Sequence, residues 1–246
     1  MIKPQHMYKY FISLFMVFVF AENYAQEQPK DSLITKEKDT LIYKTNAGIR
    51  LGVDISKPIK ASLDGVYTGF EIVGDYRIKK NLYIAAELGY EEETSSEFMV
   101  SNSTAKGNYI RLGINYNAYK NWLDMNNEVF VGYRYGFALF DQTLNSYTPN
   151  VSDADNGNYF LAEPVANPVT AKNLNAHWSE FMVGIKAETL KNLFVSFSLS
   201  YKILMSVKEP ENFKTLYAPG FNRIFESNTG FGFNYTVSYL IPFTKK

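Results

Sequence analysis

The sequence contains no cysteine among its 246 residues and only two histidines, His6 and His177. The absence of thiols excludes disulfide bonds, a cysteine nucleophile and a lipid anchor on cysteine. Two histidines are too few for a histidine-based metal cluster. Net charge is also absent, since 25 Lys and Arg balance 25 Asp and Glu. This balance favours no nucleic acid as partner. We also expect no cofactor.

Long apolar runs are scarce, and the clearest one lies near the N-terminus. Residues 11–20 are largely apolar and follow the basic residues Lys3 and Lys9. About ten apolar residues are too few for a helix that needs roughly 20 to span a bilayer. A basic start followed by a short apolar run is typical of a secretory signal peptide. We predict that residues 1–25 are such a peptide, cleaved at one of two small residues, Ala21 or Ala25.

The chain is rich in aromatic residues that alternate with small polar ones. Tyr and Phe each number 19, and aromatic residues make up 16% of the chain. From Phe231 to Phe243 the odd positions are Phe, Tyr, Val and Ile, whereas most even positions are Gly, Asn, Thr and Ser. Alternate side chains of a β-strand point to opposite faces, so this segment predicts a two-faced strand. Seven further segments alternate in the same way: 47–55, 66–77, 82–91, 109–117, 128–140, 177–188 and 193–203.

Residues 26–44, which are rich in Gln, Lys, Glu and Asp, predict a disordered periplasmic lead-in, and residues 45–246 predict one all-β domain.

The connections between these eight segments alternate in length. Short turns on one side and long loops on the other are typical of an eight-stranded antiparallel transmembrane β-barrel, with the turns periplasmic and the loops extracellular. The short connections lie near 78–81, 118–127 and 189–192, and the longer ones near 56–65, 92–108, 141–176 and 206–228.

The bulk of the two faces indicates which one points inward. Eight strands enclose a lumen that side chains only just fill. The large apolar residues are too many for that volume, so we expect them outside, with Leu112 against lipid and Arg111 in the lumen beside Glu87. Buried charges must be paired or solvated. We therefore predict a lumen charge network of both signs: Arg50, Asp54, Glu71, Asp75, Arg77, Glu87, Arg111, Glu128, Arg134, Glu180, Lys186, Glu188 and Lys202.

Over roughly residues 45–243 the pattern resembles the small eight-stranded outer-membrane barrels of the OmpA and OmpX type. The segments GFEIVGDYR (69–77) and LYIAAELGY (82–90) look like those of uncharacterised Bacteroidota outer-membrane barrel families. This resemblance implies the outer membrane of a Gram-negative bacterium as location and lipid as surroundings, and it implies no known activity. The last segment resembles the closing strand whose final aromatic residue the barrel assembly machinery reads. That resemblance implies an assembly signal at Tyr239, Ile241 and Phe243.

His177 and Ser179 are the sharpest candidates for catalysis. They lie two residues apart and so share a strand face, and a histidine can activate a serine hydroxyl within reach. The pair is similar to the active site of the barrel lipid A deacylases, which also need an acidic partner. Glu209, Glu211 or Glu226 could supply that partner. The favoured alternative places His177 and Trp178 among the amphipathic rings of a membrane interface.

Two further patterns have plainer interpretations. Asp153, Asp155, Asn156 and Asn158 resemble the start of a calcium-binding loop, but the final Glu ligand is missing, which favours an ordinary polar loop. Charged lumen residues could line a narrow channel, although a barrel of eight strands is normally filled by its own side chains. We therefore favour a non-enzymatic barrel with a structural or interaction role through its extracellular loops. A lipid-modifying enzyme and a narrow channel remain alternatives, and the extracellular partner is unknown.

Overall fold

The computed structural model describes residues 48–97, 101–119, 126–149 and 164–243. Eight antiparallel strands close into a ring, a barrel in which each strand pairs with the next along the chain and the last pairs with the first. The prediction of an all-β fold with eight antiparallel strands is confirmed. The ring strands are β1 (Gly48–Asp54), β2 (Tyr67–Lys79), β3 (Leu82–Glu97), β4 (Ser101–Asn117), β5 (Glu128–Tyr147), β6 (Val169–Leu190), β7 (Leu193–Val207) and β10 (Thr229–Pro242).

Three short elements lie in the described parts of the connections. Helix α1 (Ser56–Leu63) links β1 to β2, and the small hairpin of β8 (Tyr217–Ala218) and β9 (Asn222–Arg223) lies between β7 and β10. No helix within the described ranges is long and apolar enough to cross a membrane. The predicted signal peptide at 1–25, the lead-in at 26–44 and the calcium-like segment at 152–158 lie outside the described residues.

The structure places the apolar face of each strand outside. Leu112 is 50% exposed, whereas its neighbour Arg111 is 2% exposed. On β5 the side chains of Val131 and Tyr133 are exposed, and that of Arg134 is buried. The separation follows from the pleat, because a strand that alternates bulky apolar with small or charged residues has only one face that fits within a ring of eight.

The loops differ from the predicted ones at the end of the ring that carries α1. Residues 92–108 do not form a long loop: β3 continues to Glu97, and only residues 98–100 separate it from β4. Polar cross-strand pairs hold this extension, for example the Thr94 and Thr104 hydroxyls at 2.8 Å. Apolar alternation gives no signal here because these side chains are Ser, Thr, Asn and Glu. In the same way, β5 and β6 extend into the predicted loop 141–176.

The outward face changes from apolar to polar at matching positions on three of the long strands. Glu92 on β3 pairs in register with Lys106 on β4, which pairs with Asp141 on β5. On the turn side of this row the outward residues of these strands are apolar except for Asn108, and beyond it they are mostly polar. The ring therefore has a tall side, formed by β3 to β6, that projects past the end of its apolar belt.

Candidate functional site

The lumen holds a layer of ion pairs near the end with the short turns. Arg50 on β1 lies between two carboxylates: its Nε donates to Asp75 at 2.5 Å and its Nη1 to Glu128 at 2.6 Å. Lys186 on β6 donates to the other Asp75 oxygen, also at 2.5 Å. The Arg50 guanidinium also stacks over the Tyr83 ring, 4.5 Å from its centroid. Side chains from five strands are thus tied together across the lumen.

A second layer is centred on Arg111, which is surrounded by three carboxylates. Its guanidinium nitrogens lie 2.7 Å from Glu71, 2.7 Å from Glu87 and 3.0 Å from Glu180. Arg134 shares Glu87 at 3.2 Å. Glu87 is therefore a partner of Arg111 as the sequence predicts, but two further carboxylates compete for the same cation. Paired and hydrogen-bonded charges of this kind are the tolerated form of burial.

A third layer, at the end that carries α1, is built around Glu91. Its carboxylate accepts hydrogen bonds from Tyr217 Oη at 2.6 Å and from the Gly220 backbone amide at 2.8 Å. It also pairs with Lys57 from α1 and accepts from Tyr67 Oη at 3.1 Å. Glu91 is fully buried. One carboxylate thus joins a strand, the helix and the segment between β7 and β10.

That segment folds back into the ring and closes it. Residues 215–224, hereafter the plug, pack against inward-facing side chains of β4 to β7, and within them Tyr217, Ala218 and Phe221 are at most 1% exposed. The Trp178 and Phe221 rings meet edge to face at 6.0 Å. Gly220 has a φ of +79°, and a Cβ there would lie 2.6 Å from the Tyr109 ring. The turn of the plug therefore requires glycine for both backbone and space.

Burial, and then the charges of Glu91 and Glu93, raise the pKa of the Tyr217 hydroxyl well above its usual value. Burial disfavours the phenolate, and a neighbouring carboxylate disfavours it further. The Tyr217 hydroxyl therefore stays protonated throughout the physiological range of pH, and it donates a hydrogen bond to Glu91.

Four residues of the predicted network form hydrogen bonds with groups that do not belong to the network. Lys202 donates to the Gly220 carbonyl at 2.7 Å, and so holds the plug. Asp54 accepts from Asn234 Nδ2 at 2.6 Å. Arg77 donates to backbone carbonyls of the β2–β3 turn, and Glu188 accepts from Asn126 and from the Asn192 amide. Both lie at the strand ends beside the short turns, and Arg77 also lines the cavity next to Arg50.

Two small cavities lie among the described side chains of the lumen. One cavity of about 40 Å³ lies between the first two layers, and one of about 30 Å³ lies beside Arg50 at the turn end. Each has room for no more than a few water molecules. Within the described parts of the chain, no group of three or more acidic or histidine side chains could hold a metal ion. The lumen therefore offers packing and ion pairing, with little volume for a ligand.

His177 and Ser179 lie on the outward face of β6 and do not bond to each other. The His177 ring is 2.7 Å from Tyr135 Oη, and Ser179 Oγ is 3.0 Å from Tyr133 Oη. Among the hydrogen bonds of the described residues, none joins a carboxylate to His177. Of the three acids proposed as partners, Glu209 instead accepts from the Thr215 amide, and Glu211 and Glu226 are exposed. Among the hydrogen bonds of the described residues, neither candidate group has the contact that would activate it.

Trp178 corrects the alternative interpretation of this segment. It was expected beside His177 in an interfacial belt, but it is fully buried and contacts the plug. Strand alternation gives the reason, because Trp178 shares the inward face with Glu180.

The predicted assembly signal lies at the closing seam of the ring. Tyr239 pairs with Leu51 and Ile241 with Ile49 of β1. Phe243 follows the end of β10, with its ring 6.1 Å from that of Tyr76. All three side chains are about half exposed on the outward face.

Sequence reasoning missed the plug and its anchor. Glu91 carried a usable signal, since it follows Glu87 on the inward face by strand alternation. The sequence contains no such signal for Lys57 or Tyr217, because both residues lie in connections whose path depends on the folded ring.

Comparison with known proteins identifies a family for the chain. A search of curated proteins finds none that matches this sequence. The model of one family, DUF6048, described as a domain of unknown function, matches residues 7–246. Since the match covers nearly the whole sequence, the chain belongs to the DUF6048 family.

Proposed function

We propose that the protein is a closed, non-enzymatic β-barrel of the outer membrane of a Gram-negative bacterium, with a structural or interaction role carried by its extracellular end. In this proposal residues 1–25 direct export, the barrel assembly machinery inserts the chain, and lipid surrounds the ring. The ends with α1 and the plug face outward from the cell, and the short turns face the periplasm.

The observation that carries this proposal is the inverted distribution of side chains. Large apolar residues, among them Ile72, Leu88, Leu112, Val183 and Leu199, are about half exposed, whereas charged residues fill the interior. Each Å² of apolar surface left in water would lose about 25 cal/mol of the free energy that burial provides. A bilayer removes that cost, and a closed ring satisfies the backbone groups that lipid cannot.

The length of the apolar belt agrees with a membrane. On β3 the outward apolar residues run from Leu82 to Tyr90, nine residues, before Glu92. On β5 they run from Val129 to Leu139, eleven residues, before Asp141. A tilted strand needs about 9–11 residues to cross the hydrocarbon core. The row of Glu92, Lys106 and Asp141 then corresponds to the outer interface.

The closed lumen argues against the channel. Three layers of paired charges and the plug occupy it, and the cavities between them are of water size. The tall polar side of β3 to β6 is the surface best suited to a partner, because it would project beyond the lipid.

The test is reconstitution of purified protein into phosphatidylcholine vesicles with three measurements. We expect the protein to float with the vesicles after an alkaline wash, to give no discrete conductance steps, and to release no fatty acid. The vesicles without protein are the control for each measurement. A monodisperse monomer in detergent-free buffer would overturn the membrane proposal. Acyl release abolished by His177→Ala would establish the enzyme instead, and conductance steps would establish the channel.

A further inference from the structure

One strand of the ring stops short of its neighbours. Val53, the last outward residue of β1, pairs with Val237 on β10 and Ile72 on β2. Beyond that level β10 continues with the outward residues Tyr235, Phe233 and Phe231. β2 likewise continues with Phe70, which is 51% exposed. The apolar belt therefore has a gap above β1, flanked by exposed aromatic side chains on both sides.

Helix α1 occupies this gap. It starts two residues after β1 ends and packs against both β2 and β10. The Ile55 amide still donates to the Tyr235 carbonyl at 2.8 Å. The buried Asp54 carboxylate accepts from the Ser56 amide at 2.9 Å and from Asn234 at 2.6 Å. Asp54 thus ends the strand and fixes the start of the helix to β10.

Two lysines determine which way the helix faces. Lys57 pairs with the buried Glu91, and Lys60 donates to Glu93 at 2.7 Å. Lys60 also lies over the Tyr67 ring, 3.8 Å from its centroid. With these two side chains directed to the ring, the helix leaves its apolar residues uncovered: Ile59 is 52% and Leu63 84% exposed.

We propose that α1 is a lipid-facing part of the barrel wall, in which Ile59 and Leu63 contact the acyl chains of the outer leaflet in place of the missing end of β1. The inference rests on the membrane location proposed above. Lipid is the occupant because the exposed face of α1 continues the belt between Phe70 and Phe233. A helix bonds its own backbone internally, so it can replace strand in lipid without leaving an open edge.

The absence of native cysteine permits a direct test by single-cysteine variants. Leu63→Cys, Leu112→Cys and Lys172→Cys are each labelled with a nitroxide and reconstituted into phosphatidylcholine vesicles. Collision rates are then measured with oxygen, which concentrates in lipid, and with a water-soluble nickel complex. Leu112 is the control for the lipid-facing belt, and Lys172, exposed on the tall side, is the control for water.

We expect the label at position 63 to collide more with oxygen than with nickel, with the same sign as at position 112 and the opposite sign to position 172. Preference for nickel at 63 with preference for oxygen at 112 overturns this inference and leaves the membrane proposal standing. Weak collision with both agents at 63 also overturns it, because protein, such as a second copy of the chain, then covers the helix. Preference for nickel at 112 overturns the membrane proposal itself.

Discussion

At the residue scale, Glu91 and Glu92 are adjacent carboxylates with opposite environments. Glu91 is buried and accepts from the helix, the plug and a strand, whereas Glu92 lies on the outward face and bonds Tyr90 Oη at 3.0 Å. Their difference comes entirely from strand alternation, since the two side chains are chemically identical. They form a matched pair for mutation.

We expect Glu91→Ala to weaken attachment of the plug by about 3–5 kcal/mol, because removal of one member of a buried pair leaves the other charge uncompensated. The measurement is hydrogen exchange of the Gly220 amide, which Glu91 binds. Glu92→Ala is the control, and it should cost no more than about 1 kcal/mol, as for an exposed contact. Equal protection of Gly220 in wild type and Glu91→Ala would contradict this prediction.

Leu112 and Arg111 are a second adjacent pair, and they test the two faces of β4. If the outward face meets lipid as proposed, Leu112→Arg should destabilise the folded barrel in lipid by about 2–4 kcal/mol, the cost of a charge on a lipid-facing midplane position. Arg111→Leu should destabilise it for another reason, by leaving Glu71 and Glu180 without their cation, while Glu87 keeps Arg134. An unfolding titration in bilayers and in detergent measures both. If Leu112→Arg is silent in lipid, the faces are reversed.

Tyr217 gives a prediction for alkaline pH. Its pKa is raised on folding, so above about pH 10 the unfolded chain loses a proton that the folded chain keeps. The unfolded state is then favoured as pH rises, and stability falls by about 1.4 kcal/mol per pH unit for this one proton. We expect Tyr217→Phe to reduce the slope by that amount in denaturant titrations between pH 10 and 11. The same slope in both proteins would exclude Tyr217 as the source.

At the scale of elements, the plug is held by apolar packing as much as by hydrogen bonds. Trp178 on β6 is fully buried and touches the plug, and a Cβ at Gly136 would lie 2.0 Å from its ring. A larger residue at position 136 would displace the Trp178 ring. β5 therefore requires glycine at the point where the tryptophan of β6 packs against it. The inner faces of two strands are thus shaped for one side chain.

We expect Trp178→Ala to destabilise the protein by about 3–5 kcal/mol, the usual cost of removing a buried aromatic ring. His177→Ala, one residue away on the outward face, should cost about 1 kcal/mol or less, the loss of one exposed hydrogen bond to Tyr135. Denaturant unfolding in detergent measures both variants. A greater loss in His177→Ala than in Trp178→Ala would contradict the placement of the two rings.

At the scale of the whole molecule, closure has two independent parts, the plug and the ion-pair layers below it. We expect that replacing residues 212–226 by a short Gly-Ser linker leaves the ring folded and still without conductance in planar bilayers, because the layers around Arg111 and Arg50 remain. The full-length protein is the control. Discrete conductance steps in the deletion variant alone would show that the plug is the only barrier.

The sequence predicted the ring and most of its interior. Eight alternating segments were read at nearly their true positions, since period-two alternation survives in a single sequence. The pairing of Arg111 with Glu87 was also predictable, because both residues face inward at neighbouring positions of adjacent strands. The strand ends were not: polar extensions such as Ser101–Asn108 lack the apolar half of the pattern.

The tertiary structure alone determined what the connections do. Alternation fixes the face on which a side chain lies, because the pleat is a local property of the backbone. The position of a loop depends on distant parts of the chain, such as Glu91, which receives Tyr217 from 126 residues away. The sequence therefore determined which residues line the wall and which fill the lumen, whereas only the closed ring could show that the plug enters it and that α1 packs against β2 and β10.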